Sequence, residues 1–222
     1  MFMNSQINTL CMFALLTGCA TFSQDDLPAF STDGLERVNN KSLDVLYVRP
    51  SIDFSRYETV FVATPAVEFD ADWQRRQNLT DPYRVTDKDL ETIKQMVRDD
   101  VVDVFRKELS ESTNYTIVDS AAEASLILTP KIINLDIINP LNNQSYRIIV
   151  FADNSGSMTL EIELEETKSA TVLIRLKDRS RGYDHTDFHR QSSVLVRYEN
   201  RRVLRRWARS LNDVINQDIS SG

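Results

Sequence analysis

The chain has 222 residues and a formal net charge of −7, with 41% hydrophobic and 27% charged residues. That balance excludes a disordered or collagen-like chain, and the acidic excess argues against general nucleic-acid binding. No run of 18 apolar residues is present, so no transmembrane helix is expected.

Residues 1–18 carry no charged side chain, and Ile7 to Leu16 has the length of a secretory h-region. The n-region, Met1 to Asn8, lacks the usual Lys or Arg. The apolar stretch leads into Leu16-Thr17-Gly18-Cys19, which resembles a bacterial lipobox. That resemblance implies cleavage before Cys19, a thioether from its sulfur to diacylglycerol, and acylation of the new N-terminus. A thiolate is the nucleophile such a linkage needs. Ala20 rather than Asp after the cysteine implies, by the same resemblance, transfer to the outer membrane with the domain in the periplasm. The alternative is a short apolar helix packed on the core, with Cys19 a buried thiol. Cys11 and Cys19 are the only cysteines, so a lipidated mature chain would hold neither a free thiol nor a disulfide.

Residues 19–55 read as a lipid anchor and tether, rich in turn residues such as Pro28, Asp33-Gly34 and Asn39-Asn40. Within them only Leu43 to Val48 has strand character. The domain is expected over 56–222, opening with the buried strand Thr59 to Ala63. A surface excursion over 68–85, with room for a short helix, follows. Thr86 with Asp89 three residues on suggests a capping box. From there Leu90, Ile93, Val97, Val101, Val104, Phe105 and Leu109 form a helical stripe. Tyr115 to Val118 reads as a strand, Ser125 to Ile138 as a long one bent at Pro130, and Arg147 to Phe151 as another. Met158 to Glu165 alternates apolar and acidic residues, and Thr171 to Lys177 returns as its hairpin partner. Val203, Leu204, Trp207, Ala208, Leu211, Val214 and Ile215 line one face of a last helix that starts as early as Arg190. The expected fold is α+β: a mixed sheet of about five strands covered by two main helices.

Several segments, in this order, resemble a bacterial outer-membrane lipoprotein family catalogued as domain of unknown function thirty-three thirteen. They are Tyr47-Val48-Arg49-Pro50, Ile52 to Tyr57, Asn134-Leu135-Asp136 with Asn139-Pro140, the Gly156 to Glu163 strand, Asp178 to Gly182, and Arg206-Trp207-Ala208. The resemblance implies an envelope lipoprotein with no assigned activity. The hairpin turn departs from the family pattern, reading Glu165-Glu166-Thr167-Lys168, which leaves the hairpin register open.

Two clusters invite a metal reading. Asp153-Asn154-Ser155-Gly156-Ser157 resembles the metal site of von Willebrand factor A domains, and one carboxylate with two hydroxyls suits a hard cation. The strand period after it, where that fold has a helix, favours a Gly-Ser loop. His185 and His189 would share a helix face as ligands, but Gly182 just upstream makes the stretch read as a loop entering the last helix. No Gly-x-Ser-x-Gly elbow, phosphate loop or dinucleotide fingerprint is present. The sequence therefore predicts no enzyme, no cofactor and no metal.

Charge is unevenly spread. Arg175 to Arg209 holds ten Arg and one Lys against four acids, a net +7 that leaves −14 for the rest. Arg201, Arg202, Arg205, Arg206 and Arg209 crowd the polar side of the last helix. They form a candidate partner-binding face, since Arg pairs bidentately with phosphate or carboxylate. The alternative is a solvated face paired with Glu161 and its neighbours. The expected function is a lipid-anchored, non-enzymatic binding or scaffolding module, self-association included. The alternatives are a small-ligand or transport-auxiliary lipoprotein, and a metal-dependent hydrolase or metal-binding protein centred on Asp153, Ser155 and Ser157 or on His185 and His189.

Overall fold

A computed structural model describes residues 27–80, 84–111, 115–136, 157–181 and 193–216. Its elements run β1 (Glu36–Arg37), β2 (Val45–Val48), β3 (Thr59–Val62), β4 (Ala66–Phe69), α1 (Trp73–Thr80), α2 (Asp87–Ser110), β5 (Thr116–Val118), β6 (Leu126–Asp136), β7 (Ser157–Glu166), β8 (Thr171–Arg181) and α3 (Ser193–Asn216). The eight strands form one sheet in the order β1-β2-β8-β7-β6-β3-β5, with β4 also paired to β6. Pairings of β3 with β5 and of β6 with β3 and β4 are parallel; the others are antiparallel.

The fold is α+β with a mixed sheet, but the expectation of about five strands and two helices is wrong: the described residues alone form eight strands and three helices. The additions are short. A two-residue β1 and a four-residue β4 leave no alternation to read, and α1 spans only eight residues. The stretch read as a tether supplies β1 and β2. Leu35 within it is fully buried, and β2 pairs with β8 from Val45↔Lys177 to Val48↔Ile174.

One sheet face is apolar. Leu46 and Val48, Ile174 and Leu176, Leu160, Ile162 and Leu164, Leu126, Leu128 and Ile132, and Val60 and Val62 are all at most 3% exposed. They share one core with the predicted stripes of α2 and α3, where Phe105 and Trp207 are fully buried. Two arginine–carboxylate pairs, Arg201–Asp100 and Arg209–Glu108, are each 101 residues apart, so α2 and α3 lie parallel. The capping box is present: Thr86 and Asp89 exchange hydrogen bonds at the start of α2.

The irregularity in β6 sits at Asn134, not at the expected Pro130. Asn134 has φ +51°, and the register passes from Ile133↔Thr159 to Asp136↔Ser157. One extra residue there shifts the buried phase from Leu126, Leu128 and Ile132 to Leu135. Pro130 is tolerated because it falls where the parallel neighbour of β6 changes from β3, ending at Leu128, to β4, starting at Lys131. The β7–β8 hairpin aligns Ile162 with Leu176 and Leu164 with Ile174, then admits Leu173 as a bulge before Val172 meets Glu165. That settles the hairpin register.

Candidate functional site

Alternation along β8 puts Ile174 and Leu176 on the apolar face, and Asp178 next in phase. A carboxylate thus enters the core opposite Leu160, only 5% exposed. Three donors meet it. The Trp207 indole N–H and an Arg206 Nη2 at 3.0 Å donate to Oδ2, and the Asp44 backbone N–H donates to Oδ1 at 3.1 Å. Asp44 in turn accepts the backbone N–H of Arg179 through its own carboxylate at 2.9 Å. Burial pushes the Asp178 carboxyl above the usual carboxylate range, against the opposing pull of Trp207 and Arg206. The arrangement fastens α3 and the entry to β2 onto β8.

A second set repeats the pattern with the other tryptophan, the chain having two. The Trp73 side chain bonds Asp136 at the end of β6, and burial again raises that carboxyl. Arg76 bonds Asp70 at 2.7 Å and Asp136 at 3.4 Å, while Trp73 stacks on Phe69 with centroids 4.5 Å apart. Each tryptophan is thus paired with an aspartate, buried at 178 and half-buried at 136, that also binds an arginine. Sequence reading missed both sets. The available signal was Asp178 standing where the β8 pattern calls for an apolar residue, and its three donors belong to other elements.

The five arginines of α3 are not all directed one way. Arg201 bonds Asp100 of α2 at 2.9 Å, Arg206 bonds Asp178, and Arg209 bonds the buried Glu108 through Nε at 2.8 Å. Arg202, Arg206 and Arg209 nonetheless fall along one exposed stripe, and Arg205 beside them is half-buried. Glu161, expected as a partner of this helix, instead pairs with Lys177 at 2.9 Å on the opposite sheet face. There Arg175 joins Glu163 at 2.8 Å and both oxygens of Asp33 at 3.1 Å.

Cys19, Asp153, Ser155, His185 and His189 lie outside the described residues, as does the expected strand Arg147 to Phe151. Ser157 opens β7, paired with Asp136 and Arg181. Among the described residues, no group of three His, Cys, Asp or Glu side chains is placed to hold a metal ion. Nor is any helix among them long and apolar enough to cross a membrane. A cavity of about 470 Å³ lies between β4, α1 and α2, lined by Val67, Phe69, Trp73 and Leu90 together with the polar Glu68, Asp70, Asp72, Gln74, Arg75 and Lys94.

No family model and no curated protein matches this sequence. Solved structures do resemble the chain at a low level. A PelC dodecamer subunit from Paraburkholderia phytofirmans is 10% identical, covering 78% of this chain and 96% of that one, with a TM-score of 0.36. A protein from Xanthomonas campestris is 11% identical over 74% of this chain and 86% of that one, at 0.40. A protein from Chlamydia trachomatis is 10% identical over 72% and 98%, at 0.39. At these scores the likeness carries no argument about activity, partner or assembly.

Proposed function

We propose that this chain is a lipid-anchored protein of the bacterial envelope, held by Cys19 at the periplasmic face of the outer membrane, and that its folded domain is a non-enzymatic binding or scaffolding module. Membership of the lipoprotein family named above is part of the proposal. The observation that carries it is Leu16-Thr17-Gly18-Cys19 at the end of an uncharged apolar leader, followed eight residues later by Leu27, where the described fold begins. A location shared with a partner raises effective concentration without any new contact. The role of these two carboxylates supports a non-catalytic reading: the buried Asp178 and the half-buried Asp136 accept from Trp207, Arg206, Asp44, Trp73 and Arg76.

The first candidate contact is the α3 stripe. Arg202 is exposed, and the Arg206 and Arg209 side chains keep 49% and 66% of their exposure while paired, so an acidic partner could share them. The test is crosslinking in the native membrane, comparing the natural chain with Arg202→Glu and identifying adducts by mass spectrometry. Arg202 is chosen because it is exposed, whereas Arg201 is half-buried against Asp100. A discrete adduct lost in the variant supports the module and its face; monomer alone in both samples counts against it.

A small-ligand role is the second reading, favoured by the 470 Å³ cavity beside the Phe69–Trp73 stack, a volume within the range of ligand pockets. It predicts a ligand-dependent rise in Tm that Leu90→Trp, which would fill the cavity, abolishes.

A further inference from the structure

Among the described residues, two large hydrophobic side chains are exposed, Phe30 at 58% and Leu79 at 74%. They differ in where the fold holds them. Phe30 lies three residues beyond Leu27, on a turn fastened to the β1–β2 edge. Its backbone bridges Glu36, the Pro28 carbonyl accepts the Tyr47 hydroxyl at 2.8 Å, and the Ala29 carbonyl accepts the Arg37 N–H at 2.8 Å. Gly34, with φ +82°, closes the turn, and Asp33 clamps it to Arg175. The side chain is therefore held out to solvent by a fixed backbone.

The length of chain before that turn matters. Seven residues, 20–26, separate Cys19 from Leu27, eight peptide steps in all. At full extension a chain of that length reaches about 28 Å. A globular body of roughly 190 residues is about 40 Å across. Even so extended, the leash is shorter than the body is wide, so the side of the domain opposite Leu27 cannot rest on the surface that holds Cys19, whereas Phe30, three residues beyond Leu27, stays close to that surface. Leu79 sits on α1 behind β4, and β4 is four strands from β2 along β2-β8-β7-β6-β4, about 19 Å across the sheet.

We infer that the turn bearing Phe30 is the bilayer-contacting point of the domain, with the Phe30 ring seated among the lipid headgroups beside the acyl chains of Cys19. This rests on the anchoring proposed above. A solvent-exposed phenyl ring gains by leaving water, and a bilayer interface within reach of the leash is where it can do so. The contact sets the orientation of the domain: the β1–β2 edge toward the membrane, α1 away from it.

Cysteine usage makes the test clean, because a lipidated mature chain, with the Cys19 sulfur in a thioether, has no free thiol of its own. Full-length lipidated Phe30→Cys and Leu79→Cys proteins, each carrying a nitroxide, are placed in phosphatidylethanolamine–phosphatidylglycerol vesicles. Collision with oxygen and with a water-soluble nickel chelate is measured by electron paramagnetic resonance, and Cys19 acylation is read by mass spectrometry. The expected result is a label at position 30 several-fold richer in oxygen collisions and several-fold poorer in nickel collisions than the label at 79. Equal nickel access at both positions, with Cys19 acylated, would overturn the inference and leave the anchor standing. Shielding of position 30 from both reagents would overturn it in favour of a protein contact. An unacylated Cys19 would overturn the anchor and this inference together.

Discussion

Trp207 of α3 donates its indole N–H to Asp178 of β8, although the two are 29 residues apart. Both are buried. The bond joins the last helix to a central strand at a point where the strand pattern alone would have placed an aliphatic residue. Its removal therefore has a defined cost. Asp178→Ala leaves the buried Trp207 N–H and the Asp44 N–H without an acceptor. Urea denaturation is expected to show a loss of about 2–3 kcal/mol. Asp178→Asn, which retains acceptor capacity, should lose less.

The same carboxylate gives a pH signature. Its folded-state pKa is raised above the ordinary 3.8 chiefly by burial. Its contribution to stability is then fully present below that value and is lost as pH rises through the folded-state pKa. Asp33 has the opposite sign. Its hydrogen bonds from Ser31 and Arg175 hold it at about 2, so its contribution is present above 3.8 and lost as pH falls toward 2. Stability measured against pH, for the natural chain minus Asp178→Asn, should decline upward from pH 4. The difference from Asp33→Asn should instead decline downward from pH 4.

The pair Glu108–Arg209 joins the two parallel helices. The Glu108 side chain is 6% exposed, whereas that of Arg209 is largely in water. Arg209→Ala strands a buried carboxylate and is expected to lower the urea midpoint, whereas Glu108→Leu/Arg209→Leu should stay nearer the natural chain. A midpoint for the double variant as low as that of the single one would contradict this account.

The start of α2 offers a local test. Thr86 accepts from the Asp89 N–H, and Asp89 accepts from the Thr86 N–H at 2.9 Å. Thr86→Ala should cost about 1 kcal/mol in thermal or urea unfolding. Loss of the exposed hydroxyl alone, without the cap, would leave the midpoint unchanged.

At Asn134 the backbone is left-handed, φ +51°. Asn134→Gly is expected to fold normally. Asn134→Val should cost about 1–2 kcal/mol, because its Cβ branch meets the backbone in that conformation. Hydrogen exchange at the β6–β7 ladder near Ile133 would report the same loss locally.

What could be read in the chain follows from how each signal arises. The stripes Leu90 to Leu109 and Val203 to Ile215 repeat at helical spacing, and all their members become buried except Leu90 and Val203 at the first positions, which are half-buried. The alternation Met158 to Glu165 has period two and forms β7. Such signals need only local geometry, and they are long enough to exceed noise. Glu36–Arg37 and Ala66–Phe69 are too short to show any period, and they become strands only because β2 and β6 offer them edges. Leu35 lies in a turn-rich stretch, which gives no signal of burial, and is nonetheless fully buried.

The candidate site divides along the same line. Residue order by itself determined that arginines at 202, 206 and 209 share one helix stripe, since spacings of four and three are a property of the helix. It also determined that the leader ends in Leu16-Thr17-Gly18-Cys19. Only the tertiary structure decided which carboxylates meet Arg201, Arg206 and Arg209. Asp100 and Glu108 reach Arg201 and Arg209 because α2 and α3 lie parallel, and Asp178 reaches Arg206 and Trp207 because β8 runs beneath α3. A local pattern is set by bond geometry over a few residues. A partner 101 residues away is set by the burial of apolar faces from separate elements, which brings together charges that no spacing relates.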